Sequence, residues 1–180
     1  NKLYLVPFGE FLPFEKYLSK IGLKKITPGY SPFTPGNIRK EIKLDKKFYK
    51  KIILPLICYE IIYSGKIKGK KQFPDLVVNI SEDAWFGKSI GPQQHFTKAV
   101  YRSIEEGVFI ARSANKGISA FIGPNGRIIK SLNTGESGNI VLNFPNFYGS
   151  TLFSNYGNKM FFLIIFLYIF FFLIFKKFKI

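Results

Sequence analysis

The sequence predicts an α/β domain followed by one membrane-spanning helix. Three observations carry this. Short apolar segments at 52–58, 75–80, 108–112 and 118–122 read as strands, several of them without the in–out alternation of a half-solvated sheet. Between them, residues 93–106 put Phe96, Ala99, Val100 and Ile104 on one helical face, with Gly107 as the stop. Near the end of the chain, residues 160–175 are sixteen consecutive apolar residues.

The length of 180 residues suffices for one modest domain with a core, and 47% apolar content excludes disorder. A single cysteine excludes an internal disulfide framework. The net charge of +16, from 27 Lys and Arg against 11 Asp and Glu, favours anionic partners. Only 4 of those 27 bases are Arg, and Lys, Ile, Phe and Asn are abundant, as an AT-rich coding sequence would also give.

In chain order, residues 3–8 read as a strand entering a loop, and 11–20 as a short helix. Residues 26–37 hold three Pro and two Gly and form a loop. The Lys-rich runs at 39–51 and 66–71 read as solvated faces, or as surfaces over anionic headgroups beside a membrane anchor. Pro55 moves strand 52–58 to an edge or a bulge. Asn125-Gly126 signals a hairpin turn, followed by strands at 127–132 and 139–144. The chain opens with Asn1 directly in a motif-like stretch, so its beginning is expected upstream.

As a helix, residues 160–175 rise about 24 Å, short of a hydrocarbon core of about 30 Å. Lys159 and Lys176 can lift their amines to the interface and cover part of the deficit. A buried core helix is the alternative, and the lack of any polar break argues against it. Lys176, Lys177 and Lys179 follow the span, whereas Lys159 is the only base in the fifteen residues before it. The C-terminus is therefore expected in the cytoplasm and residues 1–158 outside it. An unpaired thiol in an oxidising compartment is a liability, so Cys58 is either chemically used or shielded.

Cys58 ends an apolar strand and is followed by Tyr59 and Glu60. A strand end fixes a nucleophile while the next turn exposes it. The reactive thiolate needs a nearby cation or base, and only His95 could form a Cys-His pair. Composition alone favours a small core residue. Gly87-Lys88-Ser89 resembles the end of a phosphate-binding loop, but Glu82 stands where its first glycine belongs. With no nucleotide fingerprint and no Cys/His cluster at metal-ligand spacing, neither cofactor nor metal is expected.

Four blocks occur in order: KLYLVPFGE at 2–10 with Leu12-Pro13, ICYE at 57–60, NISEDAWFG at 79–87 with Gly91-Pro92 and Gln94-His95-Phe96, and Arg102, Glu105, Arg112, Ser113, Asn115 and Gly117-Ile118-Ser119. Together they resemble the apolipoprotein N-acyltransferases, membrane enzymes of the nitrilase (carbon-nitrogen hydrolase) superfamily. The resemblance implies a nitrilase-like αββα sandwich, incomplete here, over residues 1–145 and facing the periplasm. A connecting segment at 146–158, a transmembrane helix at 159–177 and a cytoplasmic tail at 178–180 would follow.

It further implies a Glu-Lys-Cys triad. Cys58 would be the nucleophile and Lys2 the oxyanion and thiolate stabiliser. The triad Glu lies upstream of the Lys in the family, so none is expected in this chain, which should be inactive by itself. Glu10 corresponds to a separate, supporting Glu. Tyr59 and Glu60 would shape the pocket, with Glu60 meeting the incoming amine. Trp85 and Phe86, with aromatic residues in 144–156, would line an acyl groove, although ordinary packing accounts for them equally well. His95 would be structural.

The implied reaction moves a fatty acyl group from a phospholipid, phosphatidylethanolamine-like, to the N-terminal diacylglyceryl-cysteine amine of an apolipoprotein at the bacterial inner membrane. Two alternatives use the same residues differently. One is a nitrilase-like amidase with water as acceptor. The other is a non-enzymatic, membrane-tethered basic module that binds anionic lipid and does not need Cys58. Nucleic acid is not an expected partner outside the cytoplasm.

Overall fold

The computed structural model describes residues 1–25, 33–46, 49–67, 73–143 and 149–177. A short helix α1 (Glu15–Leu18) precedes a mixed sheet of β1 (Ile42–Lys46), β2 (Tyr49–Ile57), β3 (Leu76–Glu82), β4 (Phe109–Asn115), β5 (Ser119–Ile122) and β6 (Ile128–Leu132), in that spatial order. β2, β3 and β4 run parallel, and the outer pairings are antiparallel. Parallel neighbours need a crossover, and α2 (Gly91–Glu106) supplies it between β3 and β4. The N–H of Gly107, at φ 64°, closes α2 on the Ser103 carbonyl, a conformation that favours glycine.

Alternate strand residues make the core. Leu54 and Leu56 of β2, Val77 of β3, Ile110 of β4, and Ala120 and Ile122 of β5 are buried on one face with Phe96 and Ala99 of α2. The other face stays open beside the catalytic candidate, with Ile57 at 41% and Ile80 at 61% exposure. The described residues thus hold one sheet with its helical layer, half of the sandwich that the resemblance implies.

Beyond the sheet, α3 (Leu152–Tyr156) leads into α4 (Lys159–Lys177). Lys159–Lys176 is long and apolar enough to cross a membrane, and none of it is buried. The C-terminal end of α2 clasps both flanking regions. Arg102 donates to the Ile62 carbonyl at 2.8 Å and to Glu105 at 2.6 Å. Ser64 donates to the other Glu105 oxygen at 2.9 Å, and the Thr151 hydroxyl donates to the Glu105 carbonyl.

Several expectations change. Residues 3–8 are not a strand: the N–H groups of Leu3 and Tyr4 donate to the Glu60 carboxylate rather than to a neighbouring strand. The helix expected at 11–20 begins only at Glu15, because Phe14 sits at φ 51°. Pro55 does not put β2 at the sheet edge. β1 pairs only as far as Ile53, so Pro55 lies where β2 has β3 alone beside it and a missing donor is harmless. Residues 42–46 of the Lys-rich run form edge strand β1, whereas 47–48 of that run, 26–32 of the expected loop and 68–71 of the second run lie outside the described residues. Residues 139–143 form no strand, and 144 lies outside the described residues. Ile104 is 45% exposed; the buried face of α2 instead carries His95, Arg102, Ser103 and Glu106 beside Phe96 and Ala99.

Candidate active site

β2 ends at Ile57, and a tight 3₁₀ turn, Cys58–Ile62, starts at once. Cys58 adopts φ 51°, a left-handed conformation that a side chain rarely takes, and is half-buried. The turn is held from inside. Glu60 reaches back to the Ile57 N–H at 2.8 Å, and Asn79 donates to the Cys58 carbonyl at 3.1 Å. Such forced backbone at a turn costs about 1–3 kcal/mol and persists where its surroundings over-determine it.

Cys58 opens on a cavity of about 370 Å³ lined also by Val6, Gly9, Glu10, Phe33, Tyr59, Glu82, Trp85 and Phe86. Most of that lining is apolar, and two carboxylates, Glu10 and Glu82, are part of it. Trp85 and Phe86 come from a 3₁₀ turn, Ala84–Phe86, after β3. The aromatic segment 144–156 contributes none of the described lining residues, and 144–148 lie outside the description.

Lys2 meets Glu10 with both carboxylate oxygens, at 2.6 and 2.7 Å, and Glu10 also accepts from the Val6 N–H at 2.8 Å. The structure therefore brings Lys2 to the cavity through Glu10. Glu60 does not face the cavity. It is fully buried, pairs with Arg39 at 3.1 Å and accepts from the Leu3 N–H at 2.8 Å. This carboxylate ties the Cys58 turn to the segment carrying Lys2. Glu82, which sequence reasoning used only to reject a phosphate loop, lines the cavity, with its oxygens on the Ala84 N–H at 3.0 Å and Asn115 at 2.8 Å.

Near the turn lies a buried polar cluster whose members stand in the matched motifs but whose contacts the sequence did not show. Arg112 donates to Asn79 through Nη1 and to Asp83 through Nη2, the latter at 2.7 Å. The second Asp83 oxygen accepts from Ser81 at 2.7 Å and meets His95 Nδ1 at 2.9 Å. Burial alone would raise the Asp83 carboxyl, but the bond to His95, the Arg112 charge and the Ser81 hydroxyl outweigh it and hold the group below the usual carboxylate range. Burial lowers the Arg112 guanidinium, while Asp83 and a negative Cys58 favour its charge. A Cβ at position 117 would run into the Asp83 carboxylate, so the close approach there requires Gly117. His95 is structural in this sense: it is buried, bonded to Asp83, and flanked by the rings of Tyr59 and Phe86 at 5.4 and 5.6 Å. Among the described residues, no group of three or more His, Cys, Asp or Glu could hold a metal ion.

The carbon-nitrogen hydrolase family profile matches residues 1–145. Apolipoprotein N-acyltransferases are similar over most of the chain. The one from Bradyrhizobium diazoefficiens is 40% identical over 158 residues, 88% of this chain and 29% of its own length. Those from Rickettsia typhi and Rickettsia bellii are 41% and 42% identical, over 88% and 92% of this chain and 31% and 32% of their own. The chain thus spans less than a third of the length of these relatives. The motif resemblance to this group of enzymes is borne out at that level. With a family match over residues 1–145 and a mixed sheet whose strand β2 ends in the Cys58 turn, the chain belongs to the carbon-nitrogen hydrolase family.

Proposed function

We propose that the chain carries the nucleophile half of an N-acyltransferase that moves a fatty acyl group from a phospholipid to the N-terminal diacylglyceryl-cysteine amine of an apolipoprotein. The observation that carries this is Cys58, held at a strand end and open to a largely apolar cavity. The Cys58 thiolate attacks the donor ester carbonyl, the C–O bond to the glycerol breaks, and the alcohol leaves with a proton. The acceptor amine then attacks the thioester, forms the amide and returns the sulfur. Splitting the transfer this way avoids one difficult direct step, and ester to amide runs downhill without a nucleotide.

Lys2 stabilises the thiolate and the oxyanion. Glu10 supports it, and Trp85 and Phe86 receive the acyl chain and keep water from the thioester. The two described carboxylates at the cavity are both engaged, Glu10 by Lys2 and Glu82 by Asn115. Neither is therefore assigned as the proton acceptor of the reaction. With α4 in the inner membrane, the domain faces the periplasm and the last lysines face the cytoplasm.

The test uses a full-length relative incubated with radiolabelled phosphatidylethanolamine. An acyl-thioester, released by hydroxylamine, is expected to form and to vanish in the variant corresponding to Cys58→Ser. Normal acyl transfer by that variant would exclude the reading. Hydrolysis of short amides without lipid transfer would point to an amidase.

A further inference from the structure

We propose that Arg112 is a positioning residue for the Cys58 thiolate, a second cation beneath the nucleophile whose reach is set by Asp83. The proposal rests on the reading of Cys58 as nucleophile, and it goes beyond that reading's triad. Two observations carry it. The first is a continuous path. Register places Leu56 beside Asn79 and Asn79 beside Arg112 across three parallel strands. Arg112 donates to the Asn79 side-chain oxygen, and the Asn79 amide donates to the Cys58 carbonyl at 3.1 Å. The guanidinium thus grips the turn that bears the sulfur, and in a buried setting its charge is weakly screened.

The second observation is an imbalance between two ion pairs. The Lys2 ammonium lies against both oxygens of Glu10, so much of its charge is cancelled. Arg112 receives only one oxygen of Asp83, because Ser81 and His95 take the other. Among the described residues its Nε has no partner, and its other neighbours are the neutral Asn79 and His95 Nδ1, at 3.2 Å from Nη2. Arg112 is therefore held by its anion through one oxygen where Lys2 is held through two, in a buried setting that screens its charge weakly.

The surroundings are specific. Arg112 faces Asn79 of β3, Asp83 after it and His95 of α2; Cys58 faces Glu10, Tyr59 and Glu82 across the cavity. Asp83 also precedes the turn that bears Trp85 and Phe86. One buried pair thus adjoins both the Cys58 turn and the turn that bears Trp85 and Phe86.

Cys58 is the only cysteine, so its alkylation reports on this site alone. The experiment measures the rate of iodoacetamide alkylation against pH for the full chain in detergent, with near-ultraviolet circular dichroism as the fold check. In Asp83→Asn, which frees the Arg112 charge, the midpoint is expected to fall by about half a pH unit or more. In Arg112→Gln it is expected to rise by a similar amount, while Arg112→Lys keeps it near the wild-type value. The doubly substituted chain, neutral at both positions, should lie between the single variants. A merely structural role would move both single variants in the same direction or not at all, and either result overturns the proposal. If one variant loses its fold, the sign of the other decides. Loss of thioester formation in the relative would defeat the function reading while leaving these opposite shifts intact, so the two failures are distinguishable.

Discussion

The Glu60 carboxylate, two residues after Cys58, accepts the backbone N–H of Leu3, one residue after Lys2, at 2.8 Å. Segments 57 positions apart in the chain are joined by this one side chain, which Arg39 neutralises at 3.1 Å. Glu60→Ala leaves the buried Arg39 without its charge partner and releases both backbone segments. A loss of about 3–5 kcal/mol is expected, read as a lower urea midpoint in far-ultraviolet circular dichroism.

Lys2 and Glu10 should act on the thiol with opposite signs. Glu10→Gln frees the ammonium and is expected to move Cys58 alkylation to lower pH, whereas Lys2→Met moves it higher. In a full-length relative, the change corresponding to Lys2→Ala is expected to slow acyl transfer about 10²-fold or more, the scale of losing one oxyanion donor. An effect under about threefold on that scale would remove Lys2 from the mechanism.

Asp83 predicts an acid limb in stability. Its carboxyl is held below the usual range in the folded chain. The ionised group therefore stabilises the fold above the ordinary carboxyl value of about 3.9, and that contribution disappears as pH falls through the lower folded value. The gap in melting temperature between wild type and Asp83→Asn should stay constant from about pH 5 to 7 and shrink below about pH 4. A gap that widens in acid would contradict the assignment.

Cys58 at φ 51° predicts a trade between stability and chemistry. Cys58→Gly gives up only a half-buried thiol and relieves the left-handed backbone, so a gain of about 1 kcal/mol is expected in thermal unfolding. Cys58→Val should lose stability, because a β-branched residue tolerates this conformation least.

The parallel strands, α2 and the apolar tail were legible because each rests on local patterning: apolar runs, a Gly stop and an unbroken hydrophobic stretch. The motifs marked Lys2, Glu10, Cys58, Tyr59, Trp85 and Phe86, and the structure places all of these except Lys2 directly on one cavity, with Lys2 joined to it through Glu10. Arg112, Asp83 and Asn79 stand inside the matched motifs, but no role was read for them, because a buried polar side chain looks like any surface residue until its partners are known. Asn79 and Arg112 do sit at the alternating positions of apolar strands, beside Val77 and Ile110, and polar residues there are the available signal. Strand β1 was hidden for the converse reason, since an edge strand rich in lysine carries no apolar run.

The clasp at the end of α2 has a mechanical consequence. Through Arg102 and Ser64 it grips the chain just after the Cys58 turn, and through Thr151 it grips the start of α3, a few residues before α4 begins at Lys159. Were α4 seated in a bilayer, this clasp would set the altitude of the sulfur over the lipid. Inserting a flexible linker between α3 and α4 would loosen that gauge without altering a single group in the cavity.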